Sequence, residues 1–134
     1  MHMGEHFMNK EAIERFTRKF CFGENILIIY LEGKDLPPNV GGNAHTPRPN
    51  SHSLNGIIQI PYERFVALDE AEQKAILLHE IGHVVLKHTT IINDYPGEHF
   101  EFEAQMFGIL VCDKYNMVDV KNLDRKSTRL NSSH

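Results

Sequence analysis

The chain has 134 residues, 41% hydrophobic and 24% charged, with 14 Lys+Arg against 18 Asp+Glu for a net charge of −4. That size and composition predict one domain with a buried core and exclude full disorder. A weakly acidic chain without a basic run argues against direct nucleic-acid binding, and the longest apolar run, Ile26–Leu31, falls far short of the ~20 residues that span a bilayer.

The first residues lack a basic start followed by an apolar stretch, so no signal peptide is expected. Two cysteines, Cys21 and Cys112, make no disulfide framework and are read as inert core thiols of a cytoplasmic protein. Nine histidines stand out, because histidine is the commonest metal ligand.

Met8 to Phe20 reads as an amphipathic helix, with Met8, Ala12 or Ile13, Phe16 and Phe20 at helical spacing and Gly23 as its breaker. Asn25–Leu31 reads as a buried strand. Glu32–Ser53 holds Pro37, Pro38, Pro47, Pro49 and the pair Gly41-Gly42, and reads as a long loop. Leu54–Ile60 is a second strand stopped by Pro61. Asp69, with Glu72 three residues on, starts a helix over about 69–89. Tyr95-Pro96-Gly97 is a turn, and a third helix covers about 98–114 with Phe100, Ala104, Phe107 and Val111 on one stripe. Residues 1–123 thus form a single α+β domain. The polar residues 124–134 read as a disordered or artefactual tail, similar to translated adaptor read-through.

The middle helix contains His79-Glu80-Ile81-Gly82-His83, which is H-E-x-x-H. Residues i and i+4 lie about 40° apart in projection and one turn apart in height, so both imidazoles leave one face and can close on a single zinc. Glu80 follows the first histidine and points beside the metal, where it can hold and deprotonate a water. Ile76, Leu77, Leu78, Val84, Val85 and Leu86 flank the motif. Polar groups in such a setting cost free energy unless a partner such as a metal compensates.

A catalytic zinc needs a third protein ligand. His88 lies about 140° off the ligand face and is read as a capping residue. The metzincin pattern fails, because Leu86 and Thr89 stand where it needs glycine and histidine. Glu98, His99, Glu101 and Glu103 remain. Glu103 shares the Phe100/Phe107 face expected to pack inward, Glu101 is expected to face water, and His99 is the rival.

The block His79-Glu80-Ile81-Gly82-His83-Val84-Val85-Leu86-Lys87-His88, followed by Phe102-Glu103-Ala104-Gln105-Met106-Phe107-Gly108-Ile109-Leu110, resembles the ImmA/IrrE family of metallopeptidases. The resemblance spans about residues 54–112. It departs from the family at Gly108, usually alanine, and after Leu110, where Val111-Cys112-Asp113 replaces a frequent Met-Pro.

What the resemblance implies is a small zincin-like α+β fold: a short twisted sheet packed on the H-E-x-x-H helix and a following ligand-bearing helix. It implies Zn2+ held by His79, His83 and Glu103, with Glu80 as general base. The implied activity is a zinc endopeptidase of a phage or mobile element that cleaves a helix-turn-helix repressor. The alternative is a non-catalytic, zinc-stabilised module that binds such a repressor. Tyr95 and His99 are candidate oxyanion helpers. His2, His6, His45 and His52 read as surface residues. The strand Leu54–Ile60 is expected to hold an extended substrate along its edge, with the 36–53 loop as a lip over the cleft.

Overall fold

A computed structural model of the chain describes residues 8–32, 43–45, 54–87 and 97–127. Five helices and three strands follow in the order α1 (Lys10–Phe20), β1 (Ile26–Leu31), β2 (Asn43–His45), β3 (Gly56–Pro61), α2 (Tyr62–Val66), α3 (Glu70–Val85), α4 (Gly97–Tyr115) and α5 (Val118–Ser127). The described residues are mixed helix and strand, mostly helical, with one small sheet.

α1 begins where the Asn9 side chain accepts the Ala12 N–H at 2.9 Å. Its inward stripe holds Ile13, Phe16 and Phe20, as the periodicity predicts, and Thr17 is buried beside them. Phe22 and Gly23 then both take positive φ (51° and 84°), and the chain turns into β1. Gly23 adopts that conformation without the Cβ clash that Phe22 bears.

The sheet order is β1-β3-β2. β1 runs parallel to β3, from Ile26↔Gly56 to Leu31↔Pro61, and β2 runs antiparallel to it, from Asn43↔Gln59 to His45↔Ile57. β3 is therefore the central strand, with both of its hydrogen-bonding edges occupied. This corrects the expectation that Leu54–Ile60 offers an edge to a substrate, since among the described residues only β1 and β2 have an open edge. The expected 36–53 lip lies outside the described residues apart from β2.

Gly56, Ile58 and Ile60 form the buried face of β3 and lie under α3. A Cβ on Gly56 would sit 2.6 Å from the Val84 methyl groups, so this glycine sets how closely the sheet and α3 approach. Pro61 closes the strand and leads into the short α2. The buried Gln73 side chain ties three elements together. Its Oε1 accepts the Met8 N–H at 2.6 Å and its Nε2 donates to the Phe65 carbonyl at 3.1 Å.

α3 carries the expected capping box. Asp69 Oδ1 accepts the Glu72 N–H at 2.9 Å and Glu72 Oε1 accepts the Asp69 N–H at 3.2 Å. The helix stops at Val85 because Lys87 adopts φ +66°, and the Lys87 Nζ donates to Glu24 Oε1 at 2.8 Å. α4 ends on left-handed Asn116 (φ 57°), with the Met117 N–H donating to the Cys112 carbonyl at 2.9 Å. α5 then packs against α3 and α4 through Val120, and its backbone runs to Ser127, four residues into the segment read as a tail. Cys112 is buried in the core, as expected, whereas Cys21 is half-buried at the end of α1. No helix among the described residues is long and apolar enough to cross a membrane.

Candidate metal centre

α3 is buried over most of its circumference along its second half, from Leu77 to Val84. His79, Glu80 and His83 are consequently enclosed, at 4%, 3% and 4% exposure. The two imidazoles leave one side of the helix, as the i, i+4 spacing requires, with ring centroids 4.8 Å apart and planes at 84°.

The third group comes from the first turns of α4, and it is Glu101. Its carboxylate is 3% exposed and spans both rings. Oε1 lies 2.6 Å from His79 Nε2 and Oε2 lies 3.3 Å from His83 Nε2. The candidate ligand atoms of His79, His83 and Glu101 all lie within 4.8 Å of one another. Two imidazole nitrogens and one carboxylate oxygen are a donor set that suits zinc and accommodates other divalent transition metals.

This corrects the expectation for Glu103. Its carboxylate lies at the surface, 42% exposed, 3.2 Å from the 58%-exposed His99 at i−4. Neither Glu103 nor His99 joins the two buried histidines. The most buried face of α4 is Glu101, Ala104, Gly108, Val111 and Cys112; Ala104 and Val111 belong to the predicted stripe, while Phe107 is half-buried at the edge of that face against Gly82. At about 100° per residue the two faces differ by a rotation of roughly 50°, enough to turn Glu101 in and Glu103 out. Tyr95 and His88 lie outside the described residues, as do His2, His6 and His52, while His45 lies in β2.

Gly82 lets α4 come close enough to deliver Glu101. A Cβ at position 82 would meet Phe107 Cδ2 at 3.0 Å and Phe107 Cβ at 3.3 Å. Gly82→Ala is therefore expected to push α4 outward, lower the melting temperature by the equivalent of ~1–3 kcal/mol and weaken metal binding. A thermal melt and a zinc titration of this variant check both effects. Unchanged values in both would show that the close approach at Gly82 does not position Glu101.

The electrostatics divide the two carboxylates. For Glu101, burial acts to raise the pKa, but the hydrogen bond from His79, the close approach of His83 Nε2 and the charge on both rings outweigh it and hold the group at about 2. An ionised Glu101 can only accept, so His79 Nε2–H donates in the 2.6 Å contact. Burial pushes Glu80 up to about 7, with the nearby Glu101 charge adding to the rise and His79 opposing it. Glu80 Oε1 makes no hydrogen bond among the described residues.

A buried carboxylate oxygen without a donor, beside a compact set of two histidines and a glutamate, fits a centre built around a cation. His79, His83 and Glu101 are the residues that could hold it. The sequence signal for Glu101 was present but ambiguous: Glu101 shares its face with Gly108 and Cys112 at i+7 and i+11, while the bulkier Phe100 and Phe107 favour the neighbouring stripe. No protein-family model matches the chain, and no curated protein or solved structure matches it either.

Proposed function

We propose that the protein is a zinc-dependent endopeptidase with a zincin-like fold. The observation that carries this reading is the buried set of His79, His83 and Glu101 with Glu80 beside it on the same helix. His79, His83 and Glu101 would hold the zinc ion, which would supply Lewis acidity toward a carbonyl oxygen and toward water. The chain's own part falls to Glu80. Its carboxylate takes a proton from the attacking water and passes it to the leaving amine. In the metal-free protein burial pushes this carboxyl group up to about 7, and a dication beside it would draw it back down toward the carboxylate form that accepts the proton.

The resemblance to the ImmA/IrrE family supports a helix-turn-helix repressor of a phage or mobile element as the protein substrate. In this reading the enzyme works in the cytoplasm, where the thiols of Cys21 and Cys112 stay reduced. The test is to incubate the zinc-loaded protein with repressors encoded beside its gene and to follow peptide products by mass spectrometry. Discrete cleavage that chelation stops supports the proposal. Intact repressors together with a stable complex would favour the alternative of a zinc-stabilised binding module. The enclosure of all four side chains is the observation in favour of that second reading.

A further inference from the structure

α4 has two apolar faces, and the interior of the protein uses one. Glu101, Ala104, Gly108, Val111 and Cys112 face inward. On the opposite side Phe102, Met106 and Leu110 are 59%, 37% and 62% exposed. They follow one another at i, i+4 and i+8, so they form one row along the helix, with Ile109 beside it. Isolated exposed apolar side chains are ordinary, but a contiguous row on one helix marks a contact surface.

The row has an internal symmetry. His99 stands seven residues before Met106 and Asp113 seven after it, while Phe102 and Leu110 stand four before and four after. The order His, Phe, Met, Leu, Asp is thus balanced about Met106, with a base at one end and an acid at the other. Position 99 and position 113 are both exposed.

From this we infer that the outer face of α4 is the seam of a homodimer, in which α4 pairs antiparallel with its copy across a twofold axis at Met106. The pairing sets Phe102 against the partner's Leu110 and Leu110 against the partner's Phe102. It sets His99 opposite the partner's Asp113 at both ends. An isologous contact must be self-complementary, and this row is. Antiparallel helices also bring opposite ends of their dipoles together. The spacing of 99, 102, 106, 109 or 110, and 113 follows the alternating three and four of a coiled-coil seam over two heptads.

His99 already contacts Glu103, and Asp113 contacts Lys121 within the chain. Each end of the row therefore carries both signs, and the pairing rests mainly on the apolar centre. Two heptads bury less than the ~800 Å² per partner of a standard interface, so the dimer is expected to dissociate on dilution. The surface lies on the far side of α4 from Glu101, and the inference does not depend on catalysis.

Sedimentation velocity of the full chain across a hundredfold range of concentration tests it. The expected result is a monomer that becomes a dimer as concentration rises. Met106→Glu, which places two carboxylates together at the axis, is expected to remain monomeric throughout with an unchanged circular dichroism spectrum. Met106→Cys is expected to give a 106–106 disulfide on oxidation, mapped by mass spectrometry to exclude links through Cys21 or Cys112, whereas Phe102→Cys is expected to give no 102–102 link. A chain monomeric at every concentration, a dimer indifferent to Met106→Glu, or a 102–102 link as efficient as the 106–106 link would overturn the proposal.

Discussion

Glu101→Ala is expected to abolish tight zinc binding, while Glu103→Ala leaves it unchanged. The contrast follows from where the two carboxylates stand. Glu101 lies between His79 and His83 at 2.6 and 3.3 Å, and Glu103 lies out at the surface against His99. Losing even an outer partner of a metal ligand typically costs ~10–100-fold in affinity, and losing a direct ligand should cost more. Competition with a chromogenic zinc chelator reads both variants. The reverse pattern, with Glu103→Ala losing the metal, would return the third ligand to the surface pair.

The metal-free protein carries a second signature of Glu101. Its folded pKa is about 2, below the ordinary carboxylate value of 4.5. A depressed pKa contributes stability that is present above the unfolded value and is lost as pH falls toward the folded one. Parent protein stripped of metal should thus lose stability between about pH 4.5 and pH 2, and Glu101→Gln should lack that component.

Under the proposed endopeptidase function, Glu80→Gln is the variant with the largest expected effect on catalysis. It should keep one zinc per chain and lose cleavage by ~10²–10⁴-fold, the usual contribution of a positioned general base. Retained cleavage would remove Glu80 from the mechanism. The same substitution has an opposite consequence for the stability of the metal-free fold. Glu80 is pushed from 4.5 up to about 7 by burial. At low pH both folded and unfolded states hold the proton and the group is neutral in effect. As pH rises through the unfolded value toward 7, the unfolded chain releases the proton first and the folded state is penalised. Metal-free Glu80→Gln should then match the parent near pH 4 and exceed it at pH 8 by up to about 3 kcal/mol. Urea titrations at the two pH values measure the difference, and equal stabilities at pH 8 would mean that Glu80 is better solvated than its burial implies.

The motif helix was legible because three local signals agree over one segment: the capping box at Asp69 and Glu72, the helical apolar spacing, and His79 and His83 at i, i+4. None of these depends on distant parts of the chain. The rotation of α4 was not legible. With Phe102, Met106, Ile109 and Leu110 on one side and Ala104, Val111 and Cys112 on the other, its pattern has no single apolar stripe from which to take a phase. The packing of Phe107 against Gly82 of α3 helps decide the phase, and that is a tertiary fact. The strand order was equally hidden, since the parallel pairing of β1 with β3 joins segments about thirty residues apart. β2 is only three residues long within a stretch rich in proline and glycine. α2 is barely more than one turn, and α5 carries a polar composition that masks the buried Val120.

The most direct test of the metal centre is anomalous diffraction at the zinc edge from crystals of the zinc-loaded protein. One strong peak per chain is expected within about 2.0–2.2 Å of His79 Nε2, His83 Nε2 and a Glu101 carboxylate oxygen, with Glu80 beside it and not bound. A peak coordinated by Glu103 or His99 instead of Glu101, or no peak near His79 and His83 in protein shown to be zinc-saturated, would contradict it.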